Sequence, residues 1–169
     1  MTRARYYDIV IYEVAVTAPA EDDVALRYLS PIHKAVRQIT LYLEPQCAAL
    51  GVSPAEGHLL SYLRTYAPCP IVEILRVFGS KPSTMTSVLE RLAERGLIIR
   101  NPDPEDRRSV LVSLTREGKN IAGRINRMVR DLEGRIGRHV RKQELVGFQS
   151  VMSAVENATG VQVRKERST

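Results

Sequence analysis

The side chains best suited to chemistry lie between residues 80 and 118, where short hydroxyl residues alternate with basic ones. The polar candidates are Lys81, Ser83, Thr84, Thr86, Ser87 and Arg91. An apolar stripe with helical spacing interleaves with them, formed by Met85, Val88, Leu89 and Leu92. One helix would therefore bury its apolar face and present hydroxyls, which hydrogen-bond to phosphates and base edges, with basic residues at the rim.

The chain offers no comparable set of residues for catalysis. His33, His58 and His139 are scattered without metal-ligand spacing, and no phosphate-binding glycine loop or nucleophile motif occurs. Acidic pairs such as Asp22 and Asp23 stand in cap or turn contexts. We therefore expect a protein that is not an enzyme and that needs no metal or cofactor.

The elements around the polar helix predict how it is presented. Ser80 is the expected N-cap, Pro82 fits the first turn and Gly96 is a natural stop. Residues 97–100 and 109–114 read as strands, and the prolines and acids between them favour a turn carrying Arg107 and Arg108. Thr115 opens the next helix. The expected fold class is mostly α with a small β-hairpin wing, a winged helix-turn-helix, in which the helix enters a major groove and the wing tip a minor groove.

The stretch from residue 80 to residue 118 resembles the MarR family, the multiple-antibiotic-resistance regulators. The resemblance is carried by KPSTMTSVLERLAERGLIIR (81–100), by the wing motif from Asp103 to Ser109, and by VLVSLTREG (110–118), and extends over roughly residues 28 to 157. It implies that Arg108 enters the minor groove, whereas Arg107 contacts the backbone or holds the wing. Asp103 and Asp106 would orient these arginines through charge-assisted hydrogen bonds.

The other segments follow from local signals and from this resemblance. Residues 1–27 form an N-terminal arm or extension, 28–50 and 120–160 a helical dimerisation region, 51–119 the DNA-binding region, and 161–169 a basic tail. Within them, Ser53 to Glu56 is a capping box, residues 71–78 form a short helix, and Pro45 should kink or end the first helix. The terminal helices carry more apolar surface than one lobe can cover, which predicts a homodimer.

The overall composition agrees with a DNA-binding role. The net charge of +6 favours an anionic partner such as DNA, and no apolar run approaches the roughly 20 residues that span a bilayer. With 44% hydrophobic but only 5% aromatic residues and no Trp, the core should be mostly aliphatic. Cys47 and Cys69 are too few for a disulfide scaffold, so we expect a cytoplasmic protein without a membrane partner.

The resemblance also implies a ligand site and leaves a redox role open. Family members bind small aromatic or phenolic effectors in a pocket bordered by helices that here carry His33, His58, Tyr62 and Tyr66, and ordinary packing is the alternative for each residue. Cys69, just before the short helix at 71–78, is the better candidate for a reactive thiol, with a buried inert thiol as the alternative.

Our expectation is a homodimeric transcription regulator, a repressor, that reads a pseudo-palindromic double-stranded DNA operator and is released by a small aromatic ligand. One alternative keeps the fold but makes it a sequence-independent architectural or protein-interaction module. A second alternative is a thiol-based redox-sensing regulator.

Overall fold

The computed structural model describes residues 26–106 and 108–161, and the chain divides into two units between Tyr42 and Leu43. Helix α1, Leu29–Ala48, begins in the first unit and ends in the second. It begins at Leu29, just before the Ser30-Pro31 pair. Pro45 lies inside the helix, which continues to Ala48, so this proline does not end it. The predicted N-terminal arm, apart from Leu26 and Arg27, and the tail beyond Val161 lie outside the described residues.

The second unit contains the remaining described elements, and they follow the predicted order. They are α2 (Pro54–Tyr66), β1 (Cys69–Pro70), α3 (Ile71–Phe78), α4 (Pro82–Glu94), β2 (Ile98–Pro102), β3 (Val110–Leu114), α5 (Arg116–Gly137) and α6 (Lys142–Thr159). Helices α3 and α4 are joined by a short turn at Gly79, whose φ of 58° is the left-handed conformation that glycine adopts without strain.

The wing belongs to a three-stranded antiparallel sheet with the order β1-β3-β2, so the expected hairpin is confirmed and a third strand is added. Residue Val112 of β3 pairs with Cys69 on one side and Arg100 on the other. Strand β2 also continues through Asn101 and Pro102, where we expected a turn. Proline is tolerated there because β2 is an edge strand and Pro102 is its last residue.

Two of three predicted helix caps are confirmed. Ser53 and Glu56 form the capping box of α2, and the Thr115 hydroxyl accepts a 3.0 Å hydrogen bond from the Gly118 N–H of α5. The prediction for Ser80 was wrong: Lys81 occupies the N-cap position of α4 without a side-chain cap. Pro82 forces the residue before it into extended backbone, which moves the helix start beyond the reach of Ser80. The Ser80 hydroxyl donates instead to the Phe78 carbonyl.

The core of the second unit is aliphatic, as the composition predicted. Most of its fully buried side chains come from α2, α3, α4 and β3, and they include Leu59, Leu60, Leu63, Ile74, Met85, Leu89, Leu92 and Val112. Helix α5 adds Ile121 and Ile125. Within the described part of the chain, no helix is both long and apolar enough to cross a membrane.

The start of α5 is fixed to the end of α4 and the base of the wing. The Thr115 hydroxyl donates to the Gly96 carbonyl at 2.6 Å, and the Thr115 N–H donates to the Leu97 carbonyl at 3.1 Å. A Cβ on Gly118 would lie 1.9 Å from the Leu97 carbonyl oxygen. Only glycine therefore permits this approach of the first turn of α5 to the strand.

Candidate nucleic-acid interface

Helix α4 has the two faces that the sequence predicted. Its apolar side chains are at most 4% exposed and consist of Met85, Val88, Leu89 and Leu92. Its exposed side chains include the predicted contacts Ser83, Thr84, Thr86, Ser87 and Arg91, and Lys81 is exposed just before the helix. The Ser87 hydroxyl donates to the Ser83 carbonyl at 3.1 Å, which leaves its oxygen lone pairs able to accept hydrogen bonds. The helix therefore offers a row of short polar groups that a duplex groove could approach closely.

The wing turn is shaped by its acidic residues, although not in the predicted way. The carboxylate of Asp103 accepts a hydrogen bond from the Glu105 N–H, and that of Asp106 accepts one from the Arg108 N–H, both at 2.9 Å. These carboxylates cap the turn backbone, and neither forms an ion pair with the described Arg108 side chain. The expected pairing with Arg107 lies outside the described residues. Short acidic side chains reach nearby backbone donors more readily than a distant guanidinium.

Of the two predicted wing arginines, the structure describes only Arg108. Arg108 is exposed in the turn between β2 and β3. Arg107 lies outside the described residues. Arg100, on β2, is also exposed, and sequence reasoning did not select it, because a single arginine in a strand gives no specific signal. Arg100 and Arg108 thus place two exposed guanidinium groups on the wing, each able to contact a phosphate, beside the acidic residues of the same turn.

Glu56 of α2 is an unexpected partner of α4. Its carboxylate lies 3.5 Å from Arg91 Nε and 3.6 Å from Arg95 Nη1, while it also accepts the Ser53 N–H at 2.9 Å. Only its cap role was visible in the sequence, since the two arginines are more than thirty residues away. The predicted phosphate contact Arg91 therefore has one edge facing a carboxylate, and its side chain remains 53% exposed.

Three of the four predicted ligand residues lie together around Phe78. Ring centroids are 4.9 Å apart for His58 and Phe78, 5.5 Å for Tyr62 and Phe78, and 4.6 Å for Tyr62 and Tyr66. Tyr62 is buried, and its hydroxyl donates to Glu73 at 2.9 Å. Burial lowers the pKa of His58 from its usual value of 6.5. The fourth residue, His33, is exposed on α1 in the first unit.

Two surface grooves in the second unit are lined by other residues. One, of about 340 Å³, is bordered by Arg64 and Lys119. The other, of about 430 Å³, is bordered by Gln46, Arg124 and Arg127, with Leu50 and Met128 as apolar lining. Each combines basic groups with an aliphatic surface, and neither includes a predicted ligand residue.

Both cysteines are buried in the structure. Cys47 is 1% exposed and Cys69 2% exposed. Burial raises the pKa of the Cys47 thiol above its usual value of 9.0, which disfavours the reactive thiolate. Cys69 lies in β1 rather than at the first residue of α3. The described residues include no cluster of histidine, cysteine and acidic groups that could hold a metal ion.

Comparison with known proteins places this geometry in a family. Residues 52–110 match the model of the MarR family. The chain is 28% identical over 120 residues to the multiple antibiotic resistance protein MarR of Escherichia coli strain K12, which covers 70% of this chain and 81% of that protein. It is 37% identical over 68 residues to the HTH-type transcriptional repressor MdtR of Bacillus subtilis strain 168, covering 40% and 44% respectively.

A solved structure shows the same fold bound to nucleic acid. A mutant of Escherichia coli MarR, crystallised with operator DNA, matches with a TM-score of 0.66 and 25% identity, over 77% of this chain and 94% of that one. The relatives are named as transcriptional regulators and not as enzymes, as the sequence predicted. Together with the exposed polar face of α4 and the exposed arginines of the wing beside it, these similarities identify the chain as a member of the MarR family, a winged-helix transcription regulator that binds DNA.

Proposed function

We propose that this regulator is a homodimeric repressor that reads a pseudo-palindromic operator, with α4 in the major groove and the wing in the flanking minor groove. The observation that carries the proposal is the exposed row of hydroxyls on α4, whose opposite face is fully buried. A helix anchored in this way presents a fixed set of side chains to the groove, which sequence readout requires.

The predicted contacts divide into two roles. Thr86 and Ser87, with Ser83 and Thr84, read base edges or adjacent phosphates, and Arg108 enters the minor groove. Lys81, Arg91 and Arg107 contact phosphates, which position the protein without carrying sequence information. Similarity to the repressor MdtR and to the operator-bound MarR structure supports operator binding, and the division between base and phosphate contacts rests on the side-chain types and their exposure.

Exposed apolar side chains support the dimer. In the second unit, α6 exposes Leu145, Val146 and Phe148, and in the first unit α1 exposes Val36 and Ile39. Apolar groups at helical spacing on soluble proteins usually mark association surfaces. A two-fold dimer would place two copies of α4 about one helical turn of DNA apart, roughly 34 Å.

Selection of bound sequences from a random DNA pool tests the proposal directly. A palindromic consensus with half-sites about one turn apart, roughly 10 base pairs, is the expected result. Recovery of no consensus, with binding retained, would overturn operator reading and favour the architectural module instead.

A small aromatic or phenolic anion is the proposed effector. The cluster of His58, Tyr62 and Tyr66 provides aromatic surface in an aliphatic setting. The groove beside Arg124 and Arg127 is a second location with the charge that an anion needs. Screening aromatic carboxylates for operator release, in parent, His58→Gln and Arg127→Ala proteins, would distinguish the two locations.

The buried thiols argue against a redox switch at Cys69. We expect peroxide to leave operator binding unchanged in the parent, as in the Cys47→Ser and Cys69→Ser variants. Release by peroxide that disappears in one serine variant, without any response to aromatic acids, would establish the thiol sensor in place of the effector site.

A further inference from the structure

Glu56 is a charged side chain inside the protein, only 6% exposed. A buried carboxylate is costly unless it is paired and hydrogen-bonded. Here its partners are the Ser53 N–H and the guanidinium groups of Arg91 and Arg95. The capping box needs only the contact with Ser53, for which an uncharged glutamine would serve equally well. The charge of Glu56 is therefore directed at α4.

Arg91 and Arg95 stand one helical turn apart near the C-terminal end of α4. Arg95 also donates from Nη2 to the Gly51 carbonyl, in the loop before α2. Contacts at two successive turns resist both rotation of α4 about its axis and sliding along it. The start of α2 thus holds α4 from its solvent side, while the core holds the opposite side.

Arg91 links this contact to the surface proposed to meet DNA. Thr84, Ser87 and Arg91 follow one another at steps of three and four residues, so they share a face of α4. The Nε edge of Arg91 faces Glu56, and the side chain remains half-exposed, so its terminal N–H groups can still reach a phosphate. The direction of that phosphate contact is set by Glu56.

We propose that Glu56 is a positioning residue for sequence recognition, which fixes the orientation of α4 and of the Arg91 phosphate contact. This inference rests on the proposed role of α4 as the recognition helix. A phosphate contact at a fixed place sets the register in which neighbouring side chains meet base edges. When the charge of Glu56 is removed, Arg91 gains freedom, so phosphates are still bound but register is lost.

The test is Glu56→Gln, with affinity measured for the selected operator and for random DNA of equal length and salt. The glutamine side chain keeps the size of Glu56 and can accept the Ser53 N–H. We expect the ratio of operator to random-DNA affinity to fall about threefold, the effect of losing an ion pair whose arginine is half-exposed. Affinity for random DNA should be unchanged or increased. Simple destabilisation would lower both affinities together, and that outcome would overturn the proposal.

Glu94→Gln is the matched control, because Glu94 is an exposed carboxylate on the same helix and no ion pair joins it to the described residues. It removes the same charge without touching the Glu56 contacts. We expect its affinity ratio to match that of the parent. An equal fall in both variants would mean that net charge is responsible, and the positioning role would be rejected.

Arg91→Lys tests the same contact without substituting a buried residue. Lysine keeps the positive charge but cannot present a guanidinium edge to Glu56. If Glu56 acts through Arg91, the two substitutions should be non-additive, so that Glu56→Gln has little further effect on the ratio in an Arg91→Lys background. Fully additive effects would exclude this route.

Thr86→Ala and Ser87→Ala separate this inference from the proposed function. If neither substitution changes the sequence preference, α4 is not the recognition helix and the proposed function fails with the inference. If they change the preference and Glu56→Gln does not, only the role of Glu56 is refuted.

Discussion

Helices α4 and α6 have similar apolar patterns but different surroundings. Both place apolar residues at steps of three and four, yet α4 buries its stripe completely, whereas none of the residues of α6 is buried. Leu89 of α4 is 0% exposed, and Leu145 and Phe148 of α6 are 48% and 58% exposed. Periodicity therefore identifies the face of a helix that is suited to burial. It does not show whether that face packs against the same chain.

The energetic meaning of the two stripes differs accordingly. Each apolar side chain that α4 buries contributes about 1.5–3 kcal/mol to folding of the chain itself. The exposed stripe of α6 gains this stabilisation only when another surface covers it. If the proposed dimer forms, the stability of α6 should depend on protein concentration.

The largest expected effect comes from Leu89→Ala. Truncation of this fully buried side chain should lower the free energy of unfolding by about 2–5 kcal/mol, because it leaves a cavity in a packed core. Leu145→Ala, the matched change on α6, should cost clearly less in dilute protein, where the proposed dimer dissociates. Denaturant unfolding of both variants at several protein concentrations checks this, and equal costs at every concentration would show that α6 is covered within its own chain.

Phe148→Glu should have the next largest effect, on association. A charge in a stripe that a partner must cover should dissociate the dimer, so that sedimentation at micromolar protein changes from twice 19.0 kDa to 19.0 kDa. Far-UV circular dichroism of the variant should remain that of a folded helical protein. A parent that sediments as a folded monomer would contradict the dimer and leave the exposed stripe of α6 without an explanation.

Arg108→Ala tests the DNA-facing side of the comparison. Loss of a groove contact should weaken operator binding by about 1–3 kcal/mol with folding unchanged. Lys142→Ala, at the start of α6, removes the same charge from the helix that we assign to association, and should change binding much less. Unaltered affinity in Arg108→Ala would mean that the wing does not contact the operator.

Local signals explain which parts of the DNA-binding region the sequence could predict. The Ser53–Glu56 capping box, the Thr115 cap and the two faces of α4 each depend on residues at most a few turns apart, and each is confirmed. The prediction that Ser80 caps α4 was wrong although its signal was local, because Pro82 competes with Ser80 for the same helix start. Strand β1 has only two residues and exists through its pairing with β3, so it has no periodicity of its own.

The ion pairs of Glu56 could be recognised only from the folded structure. A glutamate three residues after a serine reads as a cap, and arginines at the end of a polar helix read as phosphate contacts. Nothing in the spacing indicates that the same carboxylate serves both. The roles of Asp103 and Asp106 depended similarly on the available partners: both carboxylates accept hydrogen bonds from nearby backbone N–H groups, and neither forms an ion pair with the described Arg108 side chain.

The smallest expected effect is the pH dependence of folding stability that His58 causes. It tests whether burial of His58 within this chain contributes to the stability of the DNA-binding region. Burial lowers the pKa of His58 below 6.5, so protonation favours the unfolded chain. Stability should be fully present above about pH 6.5 and should decrease as the pH falls below that value. The decrease should be small because the ring is partly exposed. Thermal unfolding of His58→Gln should show a flatter pH dependence, and His139→Gln, on the exposed segment before α6, should match the parent.

The close contact of Gly118 with Leu97 couples the orientation of α5 to that of α4 and the wing. With 22 residues the helix is about 33 Å long, and its first turn is joined to both the end of α4 and the base of the wing. Tilting the far end of α5 would therefore carry α4 and the wing together. A larger side chain at residue 118 would force this joint apart, and the angle between α4 and the wing would no longer be fixed.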